Sequence, residues 1–304
     1  MSEKELKRKQ MLRTGNARKR TYCRRERKNP RPPVWFGAEI TATVRVNFDV
    51  KSVSSELIMS PAKTLAPEAL EELKSIDTCT ISNAIEQFEV RTRNQGFANG
   101  SVRCLFPELR PVIGYAVTAH IRTSTTPIGG RCYYDKMEWW SYVRDMPGPR
   151  FLAVQDVDHN PGLGALFGEI HASIALALGC VAYLSNGSVR DLPGIRARGF
   201  QLFAGSVAVS HSYAHVVEFG KLVEIAGLQV RPGDLLHGDQ HGVVSVPLSI
   251  APEVPEMARR VQRAESELIE FCRSKEFSFD KLPEHVRRTA QQQAMLSKEL
   301  HRND

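Results

Sequence analysis

Residues 162–200 read GLGALFGEIHASIALALGCVAYLSNGSVRDLPGIRARGF, and the order of their signals decides the fold class. Glycines 162, 164 and 168 leave the chain free to bend, and the Ala, Ile and Leu run through Leu178 predicts a helix with small residues for close packing. CVAYLSNG at 180–187 predicts a buried strand. Pro193 and Gly194 shape the turn after it, and IRARGF predicts a short helix ending at Gly199. Upstream, FLAVQDV at 151–157 is another short apolar run bounded by turn residues. Strand, glycine turn, helix and strand in succession predict a mixed α/β fold.

The same stretch carries candidate chemistry. Exposed N–H groups at a helix start after a glycine loop favour an anion, although the glycines also suit a plain strand–helix turn. GLGALFG matches neither GxGxxG with its later acidic partner nor GxxxxGK[ST], which argues against a dinucleotide or Walker-type phosphate site. Arg190 and Asp191 follow directly on the predicted strand, at the edge where open α/β sheets gather ligands. A surface pair, or a helix N-cap at Asp191, is the alternative reading of the dipeptide.

Working outward, residues 67–75 and 78–88 read as helices, with Asp77 or Thr78 as cap of the second. VIGYAVTAHIR at 112–122 reads as a strand, and Arg131 to Val143 as an amphipathic helix. The aromatic segment from Tyr133 to Tyr142, with Tyr134, Trp139 and Trp140, either fills the core or lines a pocket. Further strands are expected at 201–207 and within 215–246, and a helix at 252–275. In RPGDLLHGDQHGVVSVP, Asp234 and Asp239 serve turns; His237 and His241 are four apart, but the glycines deny them the helix that would make a zinc pair. His171 lies on the proposed anion-binding helix, where a packed or solvent-facing histidine is the plainer reading.

The net charge of +7 over 304 residues is unevenly placed. Residues 1–34 hold thirteen Lys or Arg against three Glu, a balance of +10, so the remainder sums to −3. This segment has almost no apolar content and ends in a proline cluster, so residues 1–40 are expected to be a disordered arm, either simply solvated or in contact with RNA or another polyanion. The further divisions are a peripheral segment at 41–58, a catalytic domain at 59–275 and a charged helical extension at 276–304. Six cysteines without a CxxC pair indicate neither a zinc knuckle nor a disulfide framework. No apolar run is long enough to cross a bilayer and no secretory apolar core is present, so a cytoplasmic location is expected.

The series GEIHASIALALGCVAYLSNGSVRDLPGIRARGFQLFAGSV, followed by VRPGDLLHGDQHGVVSVP at 230–247, resembles the RraA-like family. That family includes the 4-hydroxy-4-methyl-2-oxoglutarate / 4-carboxy-4-hydroxy-2-oxoadipate aldolases and the regulators of ribonuclease E activity. Its aldolases carry an acidic residue, twenty intervening residues and then Arg-Asp, as do Glu169 and Arg190–Asp191 here. The family usually has Asp at the first position, so Glu169 departs from it by one methylene. The resemblance runs from about Ser60 to Arg273 and implies an α/β/β swivelling fold, assembled as a trimer or a dimer of trimers. It implies that Asp191 ligates Mg²⁺ or Mn²⁺, that Arg190 contacts a small 2-oxo acid, and that amides near Gly168, Ile170 and His171 hold its carboxylate. Glu169 would orient the water that shuttles a proton, and a glutamate of a neighbouring subunit would approach the site; Glu265 and Glu267 are the candidates for it, with a solvated helix face the plainer reading of either. The activity implied is retro-aldol cleavage to pyruvate, oxaloacetate decarboxylation, or both. The alternative is a non-catalytic regulator that binds a ribonuclease.

Overall fold

In VIGYAVTAHIR the chain is buried continuously from Ile113 to Ala119, because both faces of this strand are covered. The computed structural model describes residues 64–127 and 137–300, with side chains through Leu296; all of these lie in the compact unit Met59–Asp304. The expected arm at 1–40, the segment 41–58 and Tyr133 and Tyr134 fall outside the described residues.

The elements in chain order are α1 (Pro67–Lys74), α2 (Thr78–Gln87), β1 (Arg103–Cys104), β2 (Val112–Arg122), α3 (Met137–Asp145), β3 (Arg150–Asp156), β4 (Ala165–Phe167), α4 (Glu169–Ala177) and β5 (Cys180–Val189). They continue as α5 (Leu192–Ala197), β6 (Gln201–Val207), β7 (His215–Phe219), β8 (Val223–Ile225), β9 (Leu228–Val230), β10 (Leu235–Asp239), β11 (Gly242–Val246), α6 (Val254–Arg273) and α7 (Leu282–Leu300). Asp77 caps α2 by accepting the Thr80 N–H at 2.9 Å, an interaction worth about 1 kcal/mol. Pro193 and Gly194 lie inside α5 rather than ahead of it: proline's fixed φ and missing N–H are tolerated in a helix's first turn.

The main sheet has the order β1-β6-β5-β3-β2-β10-β11. Its centre, β6 to β2, is parallel, and β1, β10 and β11 add antiparallel edges. Where β3 stops beside β5, β4 takes its place and pairs Ala165 with Ser188 and Phe167 with Val189. On the free side of β2, β10 covers the first half and β7 the second.

Each face of the sheet has its own core. Val117, Ile121, Leu152, Val154 and Tyr183 pack under α3, α4 and α5 through Trp139, Val143, Ala172, Ala175 and Ile195. On the opposite face Phe151, Leu184 and Phe203 meet the β8–β9 hairpin through Val223, Ile225, Leu228 and Val230. Helices, sheet and a second small sheet give the three layers, α, β and β, that the resemblance implied. A further cluster seats α1, α2 and α6 on Ile113, Tyr115, Leu235 and Val244.

Candidate active site at the ends of β4 and β5

The twenty-residue interval from Glu169 to Arg190 has a geometric cause. β4 and β5 are parallel neighbours joined through α4, so the residues that leave their ends emerge side by side. The ladder runs one step past the strands, with the Arg190 N–H donating to the Phe167 carbonyl at 3.0 Å. The Glu169 N–H then donates to Asp191 Oδ2 at 3.2 Å, and Arg190 Nε donates to Asp191 Oδ1 at 3.2 Å.

Asp191 stands at the N-cap position of α5 but does not cap it. Its φ of +57° and ψ of +38° are left-handed, and its carboxylate makes no bond to its own helix. The alternative cap role is not the one the side chain takes: the twist turns the carboxylate toward Arg190 and the start of α4, a conformation that aspartate tolerates better than most residues. Gly168 makes the approach possible. A β-carbon there would lie 2.6 Å from Asp191 Oδ2 and 3.1 Å from Arg190 Cγ. Arg190 and Asp191 remain 29% and 37% exposed, within reach of a solute.

Ile170 is the second residue of α4, in the first turn, where helix amides have no acceptor one turn back inside the helix. The start of α5 is next to it, since Asp191, at the N-cap position of α5, accepts the Glu169 N–H; exposed N–H groups at the α4 start favour negative charge. The Ile170 side chain is exposed, while that of His171 is buried between Trp140 and Phe167, with ring centroids at 5.7 and 6.0 Å. Burial, with a smaller contribution from nearby His211, pushes the imidazole down to about 4. His171 is therefore a neutral packing group at physiological pH, and its contribution to the helix start is its backbone. The Glu169 carboxylate pairs with Arg198 Nη1 at 2.7 Å and packs against Gly194.

Two buried carboxylates tie the neighbouring loop to the sheet. Asp156 Oδ2 accepts the Gly162 N–H at 2.8 Å, and Ser188 Oγ donates to the Gly162 carbonyl at 2.6 Å. Asp158 Oδ2 accepts the amides of Thr123 and Ser124, each at 2.7 Å. Burial holds the Asp156 carboxyl above the usual range. For Asp158 burial acts in the same direction, but the Thr123 and Ser124 donors outweigh it and keep the group low. Neither residue was singled out from the sequence; their place at the end of an apolar strand, ahead of glycines, was the available signal.

The donor set at Asp191 suits a hard divalent cation such as Mg²⁺ or Mn²⁺, which binds through one or two carboxylates and keeps several waters. The carboxylate sits in a cradle that a β-carbon at Gly168 would fill. Among the described residues no three His, Cys, Asp or Glu side chains converge there, so the remaining positions would belong to water and to substrate oxygens.

The other residues singled out from the sequence lie apart from this site. His237 is buried with Nδ1 at 3.0 Å from Thr78 Oγ1. Asp234 serves its turn by accepting the Arg231 N–H, and Asp239 accepts both the His241 and the Thr78 amides. Glu265 meets Asn83 and Gln293, and Glu267 meets Gln292 and Arg288. Of the aromatic segment, Tyr142 stacks on Phe219 and Trp139 packs tilted against both, while Trp140 covers His171. A cavity of about 660 Å³, lined by Leu70, Leu109, Pro111, Leu176 and Cys180, opens at the starts of β2 and β5, away from Arg190. Asp77, Cys79 and His241 converge although His241 lies far from the other two in the sequence.

Several known proteins are similar to this chain. One of Halalkalibacterium halodurans named "Putative 4-hydroxy-4-methyl-2-oxoglutarate aldolase" is 26% identical over 99 residues, 32% of this chain and 47% of that protein. An uncharacterized protein of Methanocaldococcus jannaschii is 27% identical over 122 residues, 40% of this chain and 59% of the other. The chain thus spans about half the length of the curated relatives it matches. Among solved structures, an uncharacterized protein of Pseudomonas syringae pv. tomato superimposes with a TM-score of 0.57 at 21% identity, covering 75% of this chain and 99% of that one. Streptomyces coelicolor RraAS2, described as an unusual member of the RNase ES inhibitor RraA protein family, gives 0.53 at 20% identity, covering 71% and 100%. At such identities the likeness speaks for the fold. The RraA-like family model, described as Aldolase/RraA, matches residues 78–245, from the first residue of α2 nearly to the end of β11. That span takes in the whole β4–α4–β5 unit with the residues it juxtaposes, and the chain belongs to the RraA-like family.

Proposed function

We propose that this chain is a divalent-metal-dependent carbon–carbon lyase acting on small 2-oxo acids. It would release pyruvate from a 4-hydroxy-2-oxo acid by retro-aldol cleavage and, through the same enolate, decarboxylate oxaloacetate. The observation that carries this reading is the Glu169 N–H on Asp191 Oδ2, which joins an anion-favouring helix start to an adjacent guanidinium and carboxylate. A related protein's name as an aldolase supports the reaction class.

In this reading the amides of Ile170 and His171 bind the substrate carboxylate, with Gly168 leaving room for its approach. Arg190, always charged, lies beside the keto oxygen and stabilises the negative charge that gathers there as the carbon–carbon bond breaks. The hydroxyl on the departing carbon gives up its proton to a water molecule and becomes a carbonyl as the carbon–carbon bond breaks, and the electron pair of that bond stays with the pyruvate fragment as its enolate. Glu169, positioned by Arg198, stands at the rim to guide the proton that returns to the enolate carbon and yields pyruvate. Asp191 would hold Mg²⁺ or Mn²⁺, which supplies Lewis acidity at the oxo acid when bound.

A coupled assay for pyruvate tests this with 4-hydroxy-4-methyl-2-oxoglutarate and with oxaloacetate. Pyruvate is expected to form with Mg²⁺ or Mn²⁺, to stop with EDTA and to be lost in Asp191→Ala. Full activity in Asp191→Ala would sink the metal assignment. A parent protein inactive on every oxo acid tried, yet binding a ribonuclease tightly, would favour the regulatory reading, for which the +10 balance of residues 1–34 is the motivating observation.

A further inference from the structure

At the edge of the sheet where β2 begins, three metal-ligating side chains of different chemistry meet. Asp77 precedes α2, Cys79 is its second residue, and His241 lies in the turn between β10 and β11. One ligand atom from each lies within 4.8 Å of the other two. Gly238 pairs with Val112, which puts this turn beside the first residue of β2, whereas Asp191 follows the far end of β5. β2 and β5 run parallel through β3, so the two places are on opposite edges of the sheet.

The cluster is already oriented. Asp77 Oδ1 and Oδ2 accept the Thr80 N–H at 2.9 Å and the Thr80 hydroxyl at 2.6 Å, which fixes the carboxylate and leaves each oxygen a lone pair. Asp239, nearly fully buried, accepts the Thr78 N–H through Oδ2 at 2.8 Å and so fastens α2 to the hairpin. Its Oδ1 accepts the His241 N–H at 2.8 Å and stands 3.1 Å from His241 Nδ1. A carboxylate on one ring nitrogen is the usual support of a metal-binding histidine, and it leaves Nε2 for the cation.

We propose that Asp77, Cys79 and His241 form a second cation site, distinct from Asp191, that takes Zn²⁺ or a similar borderline divalent ion. One sulfur, one imidazole nitrogen and one carboxylate oxygen are the donors such ions prefer, while Mg²⁺ avoids thiolate. Three protein ligands leave a fourth position for water, and Cys79 and the half-exposed His241 ring keep the site open to ions from solution. As the sulfur–cation bond forms, the S–H bond breaks and its proton passes to solvent. The bound ion clips the start of α2 to the β10–β11 turn.

The full-length chain, stripped with chelator, is titrated with Co²⁺ and then with Zn²⁺. A thiolate-to-cobalt charge-transfer band that saturates at one ion per chain, is quenched by Zn²⁺ and persists in Asp191→Asn supports the site. Cys79→Ser is expected to abolish the band, and His241→Ala to weaken Co²⁺ binding at least about tenfold. Both side chains are at the surface, and the metal-free variants should match the parent's thermal midpoint, so a lost band would not reflect unfolding. Zn²⁺ should raise the midpoint of the parent but of neither variant. A parent with no thiolate band, or a band retained in Cys79→Ser, overturns the proposal. Metal-dependent pyruvate release by Cys79→Ser would keep this outcome separate from the fate of the lyase reading.

Discussion

Gly168 is a glycine for want of space, since its φ of −139° and ψ of −166° are open to any residue. An added methyl would meet Asp191 Oδ2 and Arg190 Cγ, both needed for the proposed chemistry. Gly168→Ala is therefore expected to lower pyruvate release by tenfold or more, on the order of 1.4 kcal/mol of barrier, while moving the thermal midpoint little. A variant with parental turnover would show that the Asp191 carboxylate does not work in the position it occupies here. The Glu169 to Arg190–Asp191 spacing was legible because it is a property of one βαβ unit, where sequence interval and spatial adjacency are linked. Asp191's orientation was not, because an aspartate ahead of a proline-started helix carries the same local signature whether or not its side chain caps. Cys79 and His241 were equally silent: their meeting depends on how α2 docks on a hairpin remote in sequence.

At the scale of elements, the apolar runs located β2, β3, β5 and β6 because each is buried over most of its length, β6 over Gln201 to Ala204, and carries its signal in composition. The three-residue β4 escaped notice, since Ala165–Phe167 lies between glycines and has no period long enough to show. Two histidines sit at seams between elements: His171 where α4 meets α3, and His237 where α2 meets β10. Burial lowers both to about 4, and for His237 it outweighs the nearby Asp239 carboxylate. Because the native pKa is depressed, each contributes stability that is fully present above pH 6.5 and is lost as the pH falls toward 4, while the unfolded chain takes up protons that the native state refuses. Going from pH 7 to pH 5 is expected to cost about 2 kcal/mol per histidine, seen as a lower urea midpoint. A midpoint flat across that range would mean that the seams admit charged imidazoles.

For the whole molecule, charge distribution separates the two functional readings more sharply than fold does. A lyase of small oxo acids needs the three layers and the ends of β4 and β5, and no described helix is long and apolar enough to cross a membrane. Polyanion binding needs excess positive charge, and outside residues 1–34 the chain sums to −3. Any affinity for RNA should therefore reside in the first 34 residues and fall steeply with salt as phosphate counterions return. Deleting residues 1–40 is expected to leave pyruvate release, subunit assembly and thermal midpoint unchanged, and to remove whatever RNA retention the full chain shows at low salt. The assembly is read by light scattering and the retention by gel shift across a salt series. If the shortened chain still held RNA with the same salt dependence, the binding surface would lie in the α/β/β body despite its net negative charge. If the deletion instead abolished turnover, the basic segment would have to be counted as part of the catalytic unit.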